Sequence, residues 1–262
     1  VNAAKQKAKH VILIGMDGWG AYSVSKADIP AIKSLMTNGC YTLHSRSVLP
    51  SSSAINWASM FMGVGTELHG YTTWGSKTPE IPSREVNERG IAPTIFSVLR
   101  EQRPKAEIGC LYEWPGIKYL VDTLAMSYQY QTPGYAKAPT ALCEAAEKYI
   151  IEKKPELLAI CFEEPDHTGH TKGHDTPAYY QMLKELDGYV ERILQAIKKA
   201  GIWDDTIIIM TADHGGIKTG HGGKTLREME IPFIISGKNV RKGMEIKESM
   251  MQYDTAAMIA YI

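Results

Sequence analysis

Thr206-Ile207-Ile208-Ile209-Met210-Thr211 is a run of apolar and β-branched side chains, and Ala212-Asp213-His214-Gly215-Gly216 follows it directly. The run does not alternate apolar with polar residues. It therefore predicts a strand covered on both faces, the pattern of a central strand in a layered α/β domain. Polar residues placed straight after such a strand fall at its carboxyl end, where open α/β sheets bind their ligands. His10–Met16 has the same form and ends in Asp17-Gly18-Trp19-Gly20. Further strand-like runs are Tyr41–Val48, Ala106–Leu111, Leu157–Phe162 and Pro232–Ser236. Helical patterns alternate with them at Ile29–Met36, Ala54–Met62, Ala92–Arg100, Thr140–Lys153 and Pro177–Ala200, with a short apolar helix expected at Tyr253–Ile262. In the longest, Tyr180, Leu183, Leu186, Val190, Ile193, Leu194 and Ile197 form a stripe at helical spacing. This alternation predicts an α/β fold, a layered α/β/α domain with a mostly parallel central sheet. Residues 1–262 are read as a single catalytic domain of that type.

Two stretches break the rhythm. Gly70 to Gly90 is rich in Thr, Ser, Pro, Gly and charge without a period, and a loop of that length in a compact domain suggests an active-site segment. Tyr112–Tyr135 fits no regular element and reads as an excursion near the site.

Bulk composition narrows the partners. Lys plus Arg (29) balance Asp plus Glu (29), which argues against a nucleic-acid backbone as partner. No apolar run reaches the ~20 residues of a membrane span. The four cysteines show no CxxC pairing, and Cys110 and Cys161 fall in apolar runs that suit buried thiols. Val1 and the lysine-rich segment after it are compatible with a processed terminus, favouring a periplasmic or secreted protein, and equally with a trimmed chain.

Reading only the strand ends gives one consistent result. Asp17 follows the first run, Pro50-Ser51-Ser52-Ser53 follows Tyr41–Val48 and opens a helix, and Glu163-Glu164-Pro165-Asp166 with His170 follows Leu157–Phe162. Asp213, His214 and then His221 follow Thr206–Thr211. Each has an ordinary explanation alone: a lone Asp caps a helix, and three serines at a helix start are an N-cap run. Three Asp, three His and a hydroxyl on one sheet edge are better explained as a site. Asp and His without thiolates suit Zn²⁺ or a similar divalent ion, and six ligands are enough for two. Two ions roughly 4 Å apart can hold the attacking and leaving oxygens of an in-line displacement. A helix start adds N–H donors where an anionic phosphoryl group sits well. His174 is set aside as a surface residue.

These residues resemble the alkaline phosphatase superfamily, specifically its type I phosphodiesterase/nucleotide pyrophosphatase family. The resemblance rests on Ile14-Gly15-Met16-Asp17-Gly18, on Pro50 through Gly70 without a gap, on Glu163 through His170, and on Thr211 through Gly215 with His221-Gly222. It implies an alkaline-phosphatase-like fold and a hydrolase of small-molecule phosphate esters with two zinc ions. Asp17, Asp213 and His214 would hold one ion together with the nucleophile, and Asp166, His170 and His221 the other. The family nucleophile aligns with Ser53 rather than Ser51 or Ser52, implying a covalent phospho-Ser53 intermediate. Two positions depart from the nucleotide-cleaving members. Trp74 stands where an Asn would contact the substrate, and is expected to bind substrate instead; Cys161 stands where an aromatic residue would stack on a nucleobase.

Alternatives on the same scaffold are a phosphomonoesterase, a phosphonate hydrolase and a sulfatase. A sulfatase needs C/S-x-P-x-R, and Ser53-Ala54-Ile55-Asn56-Trp57 lacks both Pro and Arg. A monoesterase wants a cation for the extra charge, for which only Lys172 or Lys224 offer themselves. A non-catalytic phosphate-binding module is the remaining class, but Gly220–Thr225 fails the G-x-x-x-x-G-K-[ST] spacing at Lys218.

Overall fold

A computed structural model of the chain describes residues 6–133 and 138–262. The elements run β1 (His10–Met16), α1 (Pro30–Thr37), β2 (Gly39–Arg46), α2 (Ser53–Met62), α3 (Thr66–His69), α4 (Ile95–Gln102), β3 (Ile108–Tyr112) and β4 (Tyr128–Gln131). They continue with α5 (Ala138–Lys153), β5 (Leu157–Phe162), α6 (Asp166–Lys172), α7 (Pro177–Lys199), β6 (Thr206–Ala212), α8 (Leu226–Met229), β7 (Glu230–Gly237), β8 (Met244–Glu245) and α9 (Asp254–Tyr261). Among the described residues the strands form one sheet in the order β4-β3-β5-β1-β6-β7-β2-β8, in which only β7 runs against the others. The expected α/β architecture, with a mostly parallel sheet, is what the chain adopts.

Both sheet faces are covered, as the unbroken apolar strands required. Ile12, Ile14, Leu158, Ile160, Ile208 and Met210 pack with Leu183, Leu186 and Val190 of α7 on one face. Val11, Leu13, Leu157, Ala159, Ile207 and Ile209 point the other way, into Trp57 and Phe61 of α2, Phe96 of α4 and Ile259 of α9. Successive residues of a central strand thus feed opposite layers, the period of two that a pleated strand imposes.

Several boundaries moved for identifiable reasons. β2 ends at Arg46 rather than Val48, because Ser47 N–H donates to Met229 O and Val48 N–H to Asn56 Oδ1, outside the ladder. α4 starts after Pro93 rather than at Ala92, with Thr94 and Ser97 forming a reciprocal capping box. Within Tyr112–Tyr135 the chain makes two short 3-10 turns, Pro115–Tyr119 and Thr123–Ala125, and then the edge strand β4; residues 134–137 lie outside the described residues. β4 escaped the sequence reading because Tyr-Gln-Tyr-Gln is short and half polar.

Candidate active site

Four strand ends on one edge carry the candidate residues. Asp17 leaves β1, Ser53 opens α2 beyond β2, Asp166 opens α6 beyond β5, and Asp213 and His214 leave β6. β2, β5, β1 and β6 are all parallel, so their carboxyl ends share that edge. His170 lies one turn past Asp166 on α6, and His221 sits in the loop before α8.

The three predicted serines have separate positions. Ser51 Oγ donates to Gly223 O at 2.7 Å and accepts from Gly222 N–H at 3.1 Å, while its carbonyl accepts from His221 Nδ1 at 2.9 Å. Ser51 therefore latches the loop that bears His221. Ser52 is the residue before α2 and makes no side-chain cap. Ser53 Oγ lies 3.4 Å from Asp17 Oδ2 and 3.3 Å from His214 Nε2. Asn56, fully buried, holds the approach to this helix by donating to Val48 O, Pro50 O and Ser52 O. One helix-start donor is spent: Ala54 N–H bonds Trp74 O at 3.1 Å, so it does not face the pocket freely.

The histidines share one orientation. His214 Nδ1 meets Gly215 O at 2.7 Å, His170 Nδ1 meets Thr219 O at 2.8 Å, and His221 Nδ1 meets Ser51 O. A backbone carbonyl fixes the proton on Nδ1, which leaves Nε2 with its lone pair. Those lone pairs face carboxylates. His214 Nε2 is 3.3 Å from Asp17 Oδ1 and 3.2 Å from Asp213 Oδ2; His170 Nε2 is 2.9 Å and His221 Nε2 3.5 Å from Asp166 Oδ2. Asp17 Oδ1 and Asp213 Oδ2 are buried with no hydrogen-bond donor. Acceptors facing acceptors in a buried site call for cations between them. Donor atoms of Asp166, His170 and His221, and again of Asp17, Asp166 and His214, come within 4.8 Å of one another, so either set can hold a metal ion.

The electrostatics agree. Burial, then repulsion from Asp17 and Asp166, pushes the Asp213 carboxyl well above the usual carboxylate range. Burial also raises Asp166, but its contacts with His170, His174 and His221 outweigh this and hold it well below that range. At His170 a proton on Nε2 can take the place of such a cation, since the hydrogen bond to Asp166 raises His170 to about 9.

His174, expected at the surface, is buried. Its Nε2 reaches Asp166 Oδ1 at 3.1 Å, and its ring packs where Cβ atoms on Gly169 and Gly216 would stand. A short polar sequence between glycines gave no sign of that burial. Glu113 was also missed. It ends a fifth strand, β3, on the same edge, and its Oε2 accepts Glu163 N–H at 2.8 Å, so it braces the segment leading to Asp166. Applied to β3, the strand-end rule would have found it. Burial first, then neighbouring acids, raises both Glu113 and Glu163 to about 8.

Asp17, Ser52, Ser53, Trp74, Trp114, Glu163, Asp166, His170, Gly220 and His221 line a cavity of about 470 Å³ over this cluster. Trp74 reaches it from the 70–90 loop, and Asp213 and His214 lie beneath it. Cys161 points away, into the α2 layer.

The sequence model of the type I phosphodiesterase/nucleotide pyrophosphatase family matches residues 11–239. The chain belongs to this family. Among curated relatives, mouse bis(5'-adenosyl)-triphosphatase enpp4 is 24% identical over 82% of the chain and 48% of its own length. Mouse ectonucleotide pyrophosphatase/phosphodiesterase family member 3 is 26% identical over 78% of the chain and 24% of its own length. The chain therefore spans about half the length, or less, of these phosphodiesterase-family relatives. The fold is shared with murine ectonucleotide pyrophosphatase/phosphodiesterase 5, solved as an inactive form with AMP (TM-score 0.75, 17% identity, 98% of this chain and 94% of that one). A 2-O GAG sulfatase has it too (TM-score 0.72, 14% identity, 98% and 71%). Sequence shows the family and the shared fold agrees with it, and no helix among the described residues is long and apolar enough to cross a membrane.

Proposed function

We propose that the chain is a two-metal phosphodiesterase domain with Ser53 as nucleophile. The observation that carries this reading is the common orientation of His170, His214 and His221, each with Nδ1 on a backbone carbonyl and Nε2 turned to a carboxylate. Asp17, Asp213, His214 and Ser53 would hold one ion. Asp166 goes with His170 and His221, because its Oδ2 faces both while its Oδ1 is engaged by His174. Nitrogen and oxygen donors without thiolates favour zinc. Such ions supply Lewis-acid polarisation at phosphorus and lower the pKa of a nearby hydroxyl. Ser53 Oγ then attacks phosphorus, the bond to the leaving oxygen breaks, and water later displaces Ser53 from the phospho-enzyme. Two in-line displacements give net retention at phosphorus.

A small-molecule phosphate ester suits the cavity, and a diester suits it better than a monoester. Among the described residues no lysine or arginine lines it to balance a second phosphoryl charge; Lys172 and Lys224 are exposed and outside it. The nucleotide substrates named for the relatives fit less well, since Cys161 offers no stacking face. For a sulfatase, the Pro and Arg of its motif are missing around Ser53.

Ser53→Ala should lower turnover about a thousandfold or more while metal content stays at the wild-type level. Full activity in that variant would remove Ser53 from the mechanism, and hydrolysis persisting in excess chelator would remove the metals. Rates on p-nitrophenyl phosphate, bis-p-nitrophenyl phosphate, a phosphonate monoester and an aryl sulfate should rank the bis-ester first.

A further inference from the structure

Tyr179 lines no part of the cavity over Ser53, yet it braces the candidate ligands with two different parts of its side chain. It lies in the first turn of α7 and is fully buried. Its hydroxyl donates to Gly18 O at 2.8 Å and accepts Gly20 N–H at 3.2 Å, so both of its bonds hold the turn that leaves Asp17. Burial pushes this hydroxyl well above the usual phenol range, which keeps its proton in place. The turn passes the constraint on, because Gly18 N–H donates to Asp213 Oδ1 at 3.0 Å. Gly18 has a φ of 70°, and a glycine offers the least resistance of its own to turning. The bonds on either side of it therefore fix where its N–H points. The same peptide accepts Asp166 N–H on Asp17 O, but there it holds backbone rather than a ligand oxygen. The ring of Tyr179 serves Asp166 by another route. It packs on the His174 ring, with centroids 5.6 Å apart, and His174 Nε2 lies 3.1 Å from Asp166 Oδ1.

Gly18 and Gly20 are buried. Without the hydroxyl, Gly18 O and Gly20 N–H would lose their partner, and the turn would shift to regain one. The N–H that holds Asp213 would move with it. Building on the two-metal reading above, we propose that Tyr179 is a positioning residue with two separable functions. Its hydroxyl holds the peptide that aims Asp213 at one ion, and its ring backs His174, which aims Asp166 at the other.

The test measures zinc affinity, by competition with a chromophoric chelator, in two backgrounds. His170→Ala leaves the site of Asp17, Asp213 and His214, and Asp213→Asn leaves the site of Asp166, His170 and His221. In the first background Tyr179→Phe should weaken binding about ten- to a hundredfold, and in the second by a smaller factor, because Phe keeps the ring. Tyr179→Leu, which loses ring and hydroxyl, should weaken both sites. Wild-type affinity of the first site in Tyr179→Phe would overturn the proposal. Equal weakening of the two sites by Tyr179→Phe would overturn it too, since a general loosening of the fold does not choose between them. A second site that Tyr179→Leu weakens no more than Tyr179→Phe does would overturn the part assigned to the ring. Should Tyr179→Leu not fold, the Phe variant decides alone. If the protein without substitutions binds fewer than two zinc ions, the two-metal reading fails, and amide hydrogen exchange of the metal-free protein decides the proposal. The Gly18 amide should then exchange about tenfold faster in Tyr179→Phe than in the wild type, with the β5 amides unchanged. Exchange of Gly18 at the wild-type rate would overturn it.

Discussion

Asp166 gives one carboxylate oxygen to His174 and turns the other towards His170 and His221, so its aim depends on a histidine outside the candidate ligand set. Removing such a hydrogen-bond partner typically weakens metal binding ten- to a hundredfold. His174→Ala should do so in a metal titration while the metal-free protein stays folded by circular dichroism. Wild-type affinity in that variant would mean that α6 alone sets the carboxylate. A second histidine governs acid stability. His69 is buried, accepts Tyr71 N–H on Nδ1 at 3.0 Å, and so directs Nε2–H to Ser59 Oγ at 2.9 Å. Burial pushes it down to about 4, against weaker opposing effects of the Ile55 backbone and Glu67. Unfolded, it takes a proton near pH 6.5, so its contribution is full above that pH and fades as pH falls towards 4. The loss is about 3 kcal/mol at most. Denaturant midpoints at pH 7 and pH 4.5 should therefore diverge more for the wild type than for His69→Gln. An equal pH dependence in the two proteins would rule His69 out as a cause.

At the level of elements, β1 and α2 must sit close enough for Asp17 to reach Ser53, and Gly15 permits it. A Cβ there would overlap the Trp57 indole, the large side chain by which α2 packs on the sheet. Gly15→Ala should cost about 1–3 kcal/mol by overpacking. It should also lower kcat more than it raises KM, because the nucleophile shifts against Asp17. Unchanged stability and kinetics would show that α2 has slack at this contact. The same pair marks what sequence could reveal. β1, β5 and β6 were legible because apolar runs without alternation have one good explanation, and strand ends then located Asp17, Asp166, Asp213 and Ser53. His170 and His221 came from the same strand-end reading, and the family resemblance then chose Ser53 among the three serines. β4 and β8 were not legible, since short, polar edge strands take their identity from a neighbour. His174 and Glu113 were hidden for a related reason: their burial comes from glycines and loops distant in sequence. Asp187 is similar. It leaves α7 to accept Ala31 and Ile32 N–H at the start of α1, a cap no local pattern announces.

Across the whole molecule, segments far apart in sequence deliver Asp17, Asp166 and Asp213 to one buried edge, where histidines, Gly18 N–H and Ser53 Oγ–H face their oxygens and no lysine or arginine pairs with them among the described residues. Burial and repulsion hold Asp213 well above its usual range, so assembling this edge without a cation opposes folding. Divalent ions bound there would act on the entire fold, because Asp17, Asp213 and His214 follow central strands, Ser53 and Asp166 open helices, and His221 is tied to Ser51. A ligand present at a thousand times its Kd adds about 4 kcal/mol. In a domain of this size each kcal/mol moves Tm by about 2–4 °C. Zinc reconstitution should thus raise Tm by roughly 8–16 °C over the chelated protein. Asp213→Asn should shrink that gap from both sides, stabilising the metal-free form by removing a carboxyl that folding must protonate or bury as a charge, and weakening the loaded form by removing a ligand. A gap that Asp213→Asn leaves intact would place the stabilising metal elsewhere. If instead the metal-free Tm of Asp213→Asn matched the wild type, Asp213 would sit in its ordinary carboxylate range and its burial would not oppose folding.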